Sequence, residues 1–210
     1  MKQHCAIALS IVGTLLVLSA SDVREDAKPQ PAEGVLLEDF ADEEEASERW
    51  VTVNDGVMGG KSEGGPAFAD GRMTFAGEID TDGGGFSSVR TRPAEHDLSG
   101  MAGLLLRVRG DGRTYQASLR TDATRGRWWV PFRAAFATQK GEWTEVYVPF
   151  ERMTPSIMGR PITQDPPALE LDQVKSVGLM LADGKDGPFT LEVDWVRAVP
   201  AAPASSEDVE

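Results

Sequence analysis

The segment from Asn54 to Gly64 (NDGVMGGKSEG) holds four glycines, two acids, a lysine and a serine, which are residue types used by phosphate-binding loops. Its run Gly59–Ser62 resembles the end of a P-loop. A P-loop requires a glycine where Asp55 stands, and a helix must begin directly after the serine. The residues from Glu63 to Pro66 cannot begin that helix, so the sequence excludes nucleotide binding. Four glycines instead indicate a shaped loop.

A second glycine-rich segment, Asp80 to Gly85 (DTDGGG), begins like a calcium-binding loop. An EF-hand loop requires a ligand where Gly84 stands and a glutamate where Thr91 stands, so that motif is absent. A calcium ion held by several distant loops stays open, but the sequence predicts no metal site and no cofactor. The glycines lead into a predicted strand, Phe86 to Arg90, whose alternate side chains share one polar face.

Candidate catalytic groups are scarce. After residue 21, His96 is the only histidine, which excludes a histidine-based zinc site and leaves a catalytic triad dependent on one loop residue. Acids such as Asp111 and Asp183 lie where turns favour them. Adjacent tryptophans, Trp128 and Trp129, would point to opposite faces of a strand, so one of them is expected to be exposed as a ligand contact. The chain is predicted to be non-catalytic.

The predicted ligand or partner contacts come from three places. They are the first glycine-rich segment, the predicted strand that follows the second one, and a later turn. For three of them, Asp55, Arg90 and Asp111, an equally favoured hypothesis is that they form salt bridges that hold loops on the fold. The predicted contacts are Asn54, Asp55, Met58, Lys61, Ser62, Phe86, Ser87, Arg90, Asp111 and Arg113.

The ends of the chain differ from its middle in composition. Residues 1–21 combine Lys2, the apolar run Ala6–Leu18 and small residues before Ser21, which predicts a signal peptide and an exported, periplasmic or secreted protein. Residues 22–34 read as a disordered spacer and residues 200–210 as an acidic disordered tail. The folded domain is therefore predicted at 35–199. A formal net charge of −13 disfavours nucleic acid as a partner.

Within residues 35–199 the pattern is mostly two-residue alternation. Apolar residues alternate from Leu104 to Val108, and a turn follows before a second alternating run from Tyr115 to Leu119, which is typical of a hairpin. Asp42–Arg49 is the best helix candidate, and 153–171 reads as one long irregular connection. About eight or nine strands indicate an all-β fold, an antiparallel β-sandwich or jelly roll.

Several segments occur in an order that carries a family resemblance. They are Trp50 with Asn54–Ser62, Gly84–Arg90, Leu106–Tyr115, Trp143 with Val148–Phe150, Asp183–Phe189 and Leu191–Asp194. Together they resemble the complex I intermediate-associated protein 30 family. The resemblance implies a galactose-binding-like β-sandwich. It also implies the function of a non-enzymatic assembly factor for the membrane arm of respiratory complex I.

Two functional hypotheses follow from the residues and the resemblance. The first is a non-catalytic binding module that acts as an assembly factor or chaperone for a protein complex in the cell envelope. The second is a carbohydrate-binding module of an exported protein, with an exposed tryptophan and loop Asp and Arg groups contacting sugar hydroxyls. A protein partner or membrane-protein complex is the expected ligand under the first hypothesis.

Overall fold

The computed structural model describes residues 34–157 and 159–202, which form two packed antiparallel β-sheets. This confirms the predicted all-β sandwich. The first strand begins at Val35 and the last ends at Val199. The strands are β1 (Val35–Glu38), β2 (Trp50–Asn54), β3 (Glu63–Ala69), β4 (Arg72–Ile79), β5 (Ser87–Thr91), β6 (Gly103–Arg109), β7 (Thr114–Arg125), β8 (Trp128–Ala137), β9 (Trp143–Pro149), β10 (Thr154–Ile157), β11 (Arg160–Pro161), β12 (Ser176–Leu181) and β13 (Gly187–Val199).

One sheet has six strands and the other has seven. The six-stranded sheet runs β3-β4-β13-β6-β9, with β1 paired to the second half of β13. The seven-stranded sheet runs β11-β10-β8-β7-β12-β5-β2. Asn54 at the end of β2 and Leu181 at the end of β12 both pair with Ser87 at the start of β5. The two glycine-rich loops therefore meet at one end of the seven-stranded sheet.

Alternation decides which side chains enter the core between the sheets. The alternating apolar residues of the two runs, from Leu104 to Val108 and from Tyr115 to Leu119, face inward, while the residues between them face outward, where Leu105 joins a separate buried cluster with Trp195. Fully burying one such apolar side chain stabilises the fold by about 1.5–3 kcal/mol. The largest fully buried side chains include Phe40, Met73, Phe75, Ile79, Leu104, Leu106, Tyr115, Leu119, Phe132 and Leu179.

The helix candidate is also confirmed. Helix α1 spans Glu43–Arg49, and the Asp42 side chain caps it by accepting a hydrogen bond from the Glu45 backbone N–H at 2.9 Å. Three acids in its first turn favour the positive end of the helix dipole. Ala46 is its buried contact with the sandwich. In the described part of the chain, no helix has the length and apolarity that a membrane span requires.

The structure has more strands than the alternation indicated. β1, β3, β10 and β11 were not expected, and the last two lie inside the segment 153–171 that reads as irregular. These strands are short or rich in glycine and proline and lie at or next to a sheet edge, so two-residue alternation is too brief or too interrupted to be recognised. An exposed tryptophan was expected from this pair, and the structure exposes both Trp128 and Trp129, at 47% and 42%. They lie beyond a register shift in the β7–β8 pairing, near the turn that joins the two strands.

The predicted signal peptide lies outside the described residues. Nearly all of the predicted spacer and most of the predicted tail also lie outside them, because the described residues begin at Gly34 and end at Ala202.

Candidate functional site

The two glycine-rich loops close around one buried carboxylate. Asp55 has no exposed surface, and its two side-chain oxygens accept four hydrogen bonds. Oδ1 accepts the backbone N–H of Ser62 at 2.9 Å, while Oδ2 accepts the Ser62 hydroxyl at 2.6 Å and the backbone N–H groups of Gly85 and Phe86. Burial by itself raises the pKa of Asp55, but these hydrogen bonds outweigh it and lower the pKa below its usual value. Asp55 is therefore an ionised acceptor that joins the two loops.

The glycines are required because the loops approach this carboxylate closely. A Cβ at Gly60 would lie 2.3 Å from Cγ of Asp55, and a Cβ at Gly84 would lie 2.3 Å from Oδ2. Neither position can hold a side chain without moving the carboxylate or the loop. The glycine-rich composition thus serves the packing of the loops on Asp55.

Neighbouring polar residues complete the same internal network. Asn54 donates from Nδ2 to the Gly64 carbonyl at 3.1 Å and accepts the Ser87 hydroxyl at 2.7 Å. Lys61 forms an exposed ion pair with Asp82 at 2.7 Å. Asn54, Asp55, Ser62 and Ser87 therefore shape and join the loops, whereas Lys61 lies on their surface.

Asp111 and Arg113 belong to a separate internal network. The Asp111 carboxylate accepts the Tyr115 hydroxyl at 3.1 Å and the Thr190 backbone N–H at 2.9 Å. The Arg113 guanidinium pairs with Asp183 through Nε–Oδ2 at 3.0 Å and Nη2–Oδ1 at 2.6 Å, and it also donates to backbone carbonyls of 185–188. The hydrogen bond from Arg113 holds the pKa of Asp183 below its usual value, although burial opposes this. Neither Asp111 nor Arg113 lines the cavities described next.

The outward face of the seven-stranded sheet carries three arginines. The strand register places Arg90 on β5 opposite Gly178 on β12, then Ser118 on β7, then Arg133 on β8, in one row across the sheet. Arg120 lies on β7, two residues beyond Ser118. Gly178 allows its neighbours in the row to approach closely, since a Cβ there would lie 2.9 Å from both Arg90 Cβ and Ser118 Oγ.

Two adjoining cavities occupy this face and share Arg90 and Arg120. We call them together the arginine groove. The larger, about 340 Å³, is also lined by Arg133 and by apolar side chains that include Met58, Phe86 and Met180. The smaller, about 300 Å³, has Trp129 among its lining residues. The groove therefore combines a cationic centre with apolar walls.

Among the described residues, none of the three groove arginines forms an ion pair with an acid. Arg133 donates from Nη1 to the Ser156 hydroxyl at 2.9 Å. Burial lowers the pKa of each guanidinium, and neighbouring arginines lower two of them further, so that the pKa of Arg120 falls to about 10. The three guanidiniums remain protonated at neutral pH and repel one another.

The outer face of the six-stranded sheet provides a contrast. There Arg109 pairs with Glu192 through Nη2–Oε1 at 2.6 Å, and Arg107 lies 3.5 Å from a carboxylate oxygen of Asp194. Both guanidiniums also lie about 5–6 Å from the ring centre of Trp143. Arg107 and Arg109 therefore lie beside acids of the same chain, whereas no acid of the described residues forms an ion pair with Arg90, Arg120 or Arg133.

Sequence reasoning found part of this groove. It selected Met58, Phe86 and Arg90 but not Arg120 or Arg133. Strand alternation would place both missed arginines on the outer face, but it does not show that their strands lie near β5. Within the described residues, no three His, Cys, Asp or Glu side chains are grouped so as to hold a metal ion.

The fold is a galactose-binding-like β-sandwich whose seven-stranded sheet carries the arginine groove on its outer face. Solved structures of the same fold include the family 11 carbohydrate-binding module of a cellulosomal cellulase from Clostridium thermocellum, with a TM-score of 0.60 and 16% identity, covering 83% of this chain and 99% of that one. The same module in complex with a β-1,3-1,4-mixed-linked tetrasaccharide also has a TM-score of 0.60, with 19% identity over 81% of this chain and 98% of that one. At these identities the likeness shows the fold alone.

The sequence comparison identifies the family. The model of complex I intermediate-associated protein 30 matches residues 38–193, and the chain belongs to this family. The mouse protein of that name is 30% identical over 186 residues, which cover 79% of this chain and 56% of the mouse protein. The Drosophila melanogaster protein is 28% identical over 80% of this chain and 63% of its own length. The chain thus matches rather more than half the length of these relatives.

The expected export was wrong. The relatives from mouse, Caenorhabditis elegans and Drosophila are named as mitochondrial proteins, which conflicts with a periplasmic or secreted location and with action in the cell envelope. The prediction rested on the apolar run Ala6–Leu18 and its flanking residues. Such a short pattern is not specific enough to determine the cellular location of a protein, because short apolar segments also occur in targeting sequences of other kinds and in protein cores.

Proposed function

We propose that this protein is a non-catalytic assembly factor that associates with an intermediate of respiratory complex I. The observation that carries the proposal is the family match over residues 38–193, which spans nearly all of the sandwich. The mouse and Drosophila relatives are named for association with a complex I intermediate. The shared region is the folded domain itself, so we assign the association to the domain.

The arginine groove is the surface that we assign to the partner. Its three guanidiniums are not neutralised by acids of the described chain, and a protein seldom retains clustered like charges that only destabilise its fold. Of the predicted contacts, we propose that Met58, Phe86 and Arg90 touch the partner directly. Asn54, Asp55, Ser62 and Ser87 act indirectly, by fixing the loop that presents Met58 and Phe86.

A catalytic role is disfavoured by how the loop acids are used. Asp55 already accepts four hydrogen bonds, and its lowered pKa makes it a poor proton carrier near neutral pH. Asp183 is paired with Arg113 in a similar way. The groove itself is lined by arginines, which do not exchange protons at neutral pH.

The proposal is tested by disrupting the gene in the source organism and measuring complex I on native gels of detergent-solubilised membranes. We expect less assembled complex I and an accumulation of partial complexes, both restored by the wild-type gene. The double variant Arg90→Gln/Arg133→Gln should fail to restore assembly. Arg152→Gln is the matched control, because Arg152 is exposed and lies outside the groove. Normal complex I levels in the disrupted strain would refute the proposal.

Carbohydrate binding is the second candidate, and Trp129 is the observation that favours it. Its ring is 42% exposed and lines one end of the groove, as expected for an aromatic side chain that stacks on a sugar. Affinity electrophoresis in gels containing mixed-linkage β-glucan tests this directly. Retardation of the wild type that is lost in Trp129→Ala but retained in Trp128→Ala would support sugar binding. Equal mobility with and without the glycan would eliminate this candidate for that glycan.

A further inference from the structure

The spacing of the groove arginines restricts the shape of an anionic ligand. Arg90 and Arg133 lie in one row, separated by the two intervening strands that carry Gly178 and Ser118. Three strand spacings place their Cα atoms about 14 Å apart. An extended peptide covers this Cα separation in about four residues, so acids at its two ends can reach both terminal arginines, which line the same cavity. The row therefore matches a linear ligand with separated negative charges.

The floor and the walls of the groove suit a peptide backbone with an apolar side chain. Small residues, among them Gly84, Gly85 and Ser88, line the larger cavity beside the arginines. Phe86 and Met180 line the same cavity of about 340 Å³, which is large enough for an aliphatic side chain. In an extended chain, residues i, i+2 and i+4 point to the same side. Acids at i and i+4 can thus flank an apolar residue at i+2.

Charge complementarity favours carboxylates as the anionic groups. The chain has a net charge of −13, so the groove is a local cationic region on an otherwise acidic protein. Guanidinium groups bind carboxylates through two parallel hydrogen bonds. An approaching acid would also relieve the repulsion among the three arginines. Neutral sugar hydroxyls would leave that repulsion in place.

We propose that the arginine groove binds an extended acidic peptide segment, with carboxylates four residues apart on Arg90 and Arg133 and an apolar side chain between them. Arg120 lies beside the row and strengthens the attraction for both carboxylates. The inference rests on the proposed function in one respect, namely that the partner is a protein. It adds the chemical class and the spacing that the groove recognises.

The test is fluorescence anisotropy with three labelled peptides on the purified full chain. The probe contains Glu-Ala-Leu-Ala-Glu between Gly-Ser flanks. One control replaces both glutamates by glutamine, and the second, Glu-Glu-Leu-Ala-Ala, keeps the charge but places the acids next to each other. We expect the probe to bind about ten-fold more tightly than either control. The glutamine peptide loses both charge-assisted contacts with the arginines, and the peptide with adjacent acids can keep only one of them. Binding should weaken as salt is raised.

Variants of the protein locate the binding site. Arg90→Gln and Arg133→Gln should each weaken binding of the probe about ten-fold, and Arg152→Gln should leave it unchanged. Arg133→Lys keeps the charge without the planar fork, so it should lose part of the affinity. Thermal unfolding of each variant checks that the fold is retained. Because the Gln variants remove mutually repelling charges, we expect no loss of stability from the charge change.

Three results would overturn the inference. They are equal binding of the glutamate and glutamine peptides, unchanged binding in both Gln variants, and binding of inorganic phosphate through the same arginines without any binding of the probe. If the probe fails to bind while complex I assembly still depends on the protein, the inference fails and the proposed function stands. If complex I assembles normally without the protein while the probe binds through Arg90 and Arg133, the proposed function fails and the peptide site remains.

Discussion

Replacing Asp55 by asparagine tests whether the buried carboxylate holds the two glycine-rich loops together. The substitution keeps the size of the side chain and replaces one oxygen by an amide NH₂. Oδ2 accepts three hydrogen bonds and Oδ1 accepts one, from Ser62 N–H. The amide will therefore place its remaining oxygen at the Oδ2 position. Its NH₂ group then faces the Ser62 N–H, and two donors oppose each other.

The cost follows from these contacts. Leaving one buried backbone N–H without an acceptor costs about 1–3 kcal/mol. The three remaining hydrogen bonds change from charge-assisted to neutral, at roughly 0.5–1 kcal/mol each. We therefore expect Asp55→Asn to lower the free energy of unfolding by about 2.5–6 kcal/mol at neutral pH, before any relaxation of the loops.

Urea denaturation at several pH values measures this effect. The pKa of Asp55 is lowered in the folded state, so its stabilisation is present above the unfolded-state pKa of about 3.9 and is lost as the pH falls through the lower folded-state pKa. The difference between wild type and Asp55→Asn should thus be full at neutral pH and shrink in acid. Asp82→Asn is the matched control, because the Asp82 side chain forms an exposed ion pair between the same two loops and its loss should change stability by less than about 1 kcal/mol. A difference for Asp55→Asn no larger than the control would refute the loop-joining role.

The remaining predictions concern the second loop network and the groove. Arg113→Lys should lower the free energy of unfolding by about 2–4 kcal/mol in urea, because one ammonium cannot replace the two-point pairing with Asp183; an unchanged midpoint would contradict this. Arg120→Gln should raise the free energy of unfolding by about 1–2 kcal/mol, because it removes a partly buried charge that the neighbouring arginines repel. A clear loss of stability in thermal unfolding would contradict this and would show that Arg120 makes a net stabilising contact. Gly178→Ala should cost about 1–3 kcal/mol because its Cβ would press on Arg90, and calorimetry that shows no decrease would mean that the two strands separate easily.

Much of the fold was predictable because strand structure leaves a local record. Side chains alternate in and out of the core with a period of two, so Leu104 to Val108 and Tyr115 to Leu119 identify their strands without knowledge of their neighbours. The helix at Glu43–Arg49 was predictable for the same reason, since its acidic first turn is local. The short strands β10 and β11 carry too few residues for a repeated pattern.

The site was predicted less completely, because it depends on contacts between distant segments. The glycines near Asp55 indicated a shaped loop. They did not show that the Asp55 carboxylate lies against Gly60 and also accepts a hydrogen bond from Gly85, which is thirty positions after Asp55 in the chain. Asp111 and Arg113 were selected as surface contacts, and the structure places both in internal networks. Whether any of these residues contacts a ligand stays a prediction.

The sequence by itself determined the all-β class, the inward and outward faces of the main strands, and the family. Each of these depends on local periodicity or on motifs that stay contiguous in the chain. Only the tertiary structure decided that Asp55 is an internal acceptor and that Arg90, Arg120 and Arg133 share one groove. The physical reason is that strand order and register bring β5, β12, β7 and β8 side by side, and alternation within one strand carries no information about its neighbours.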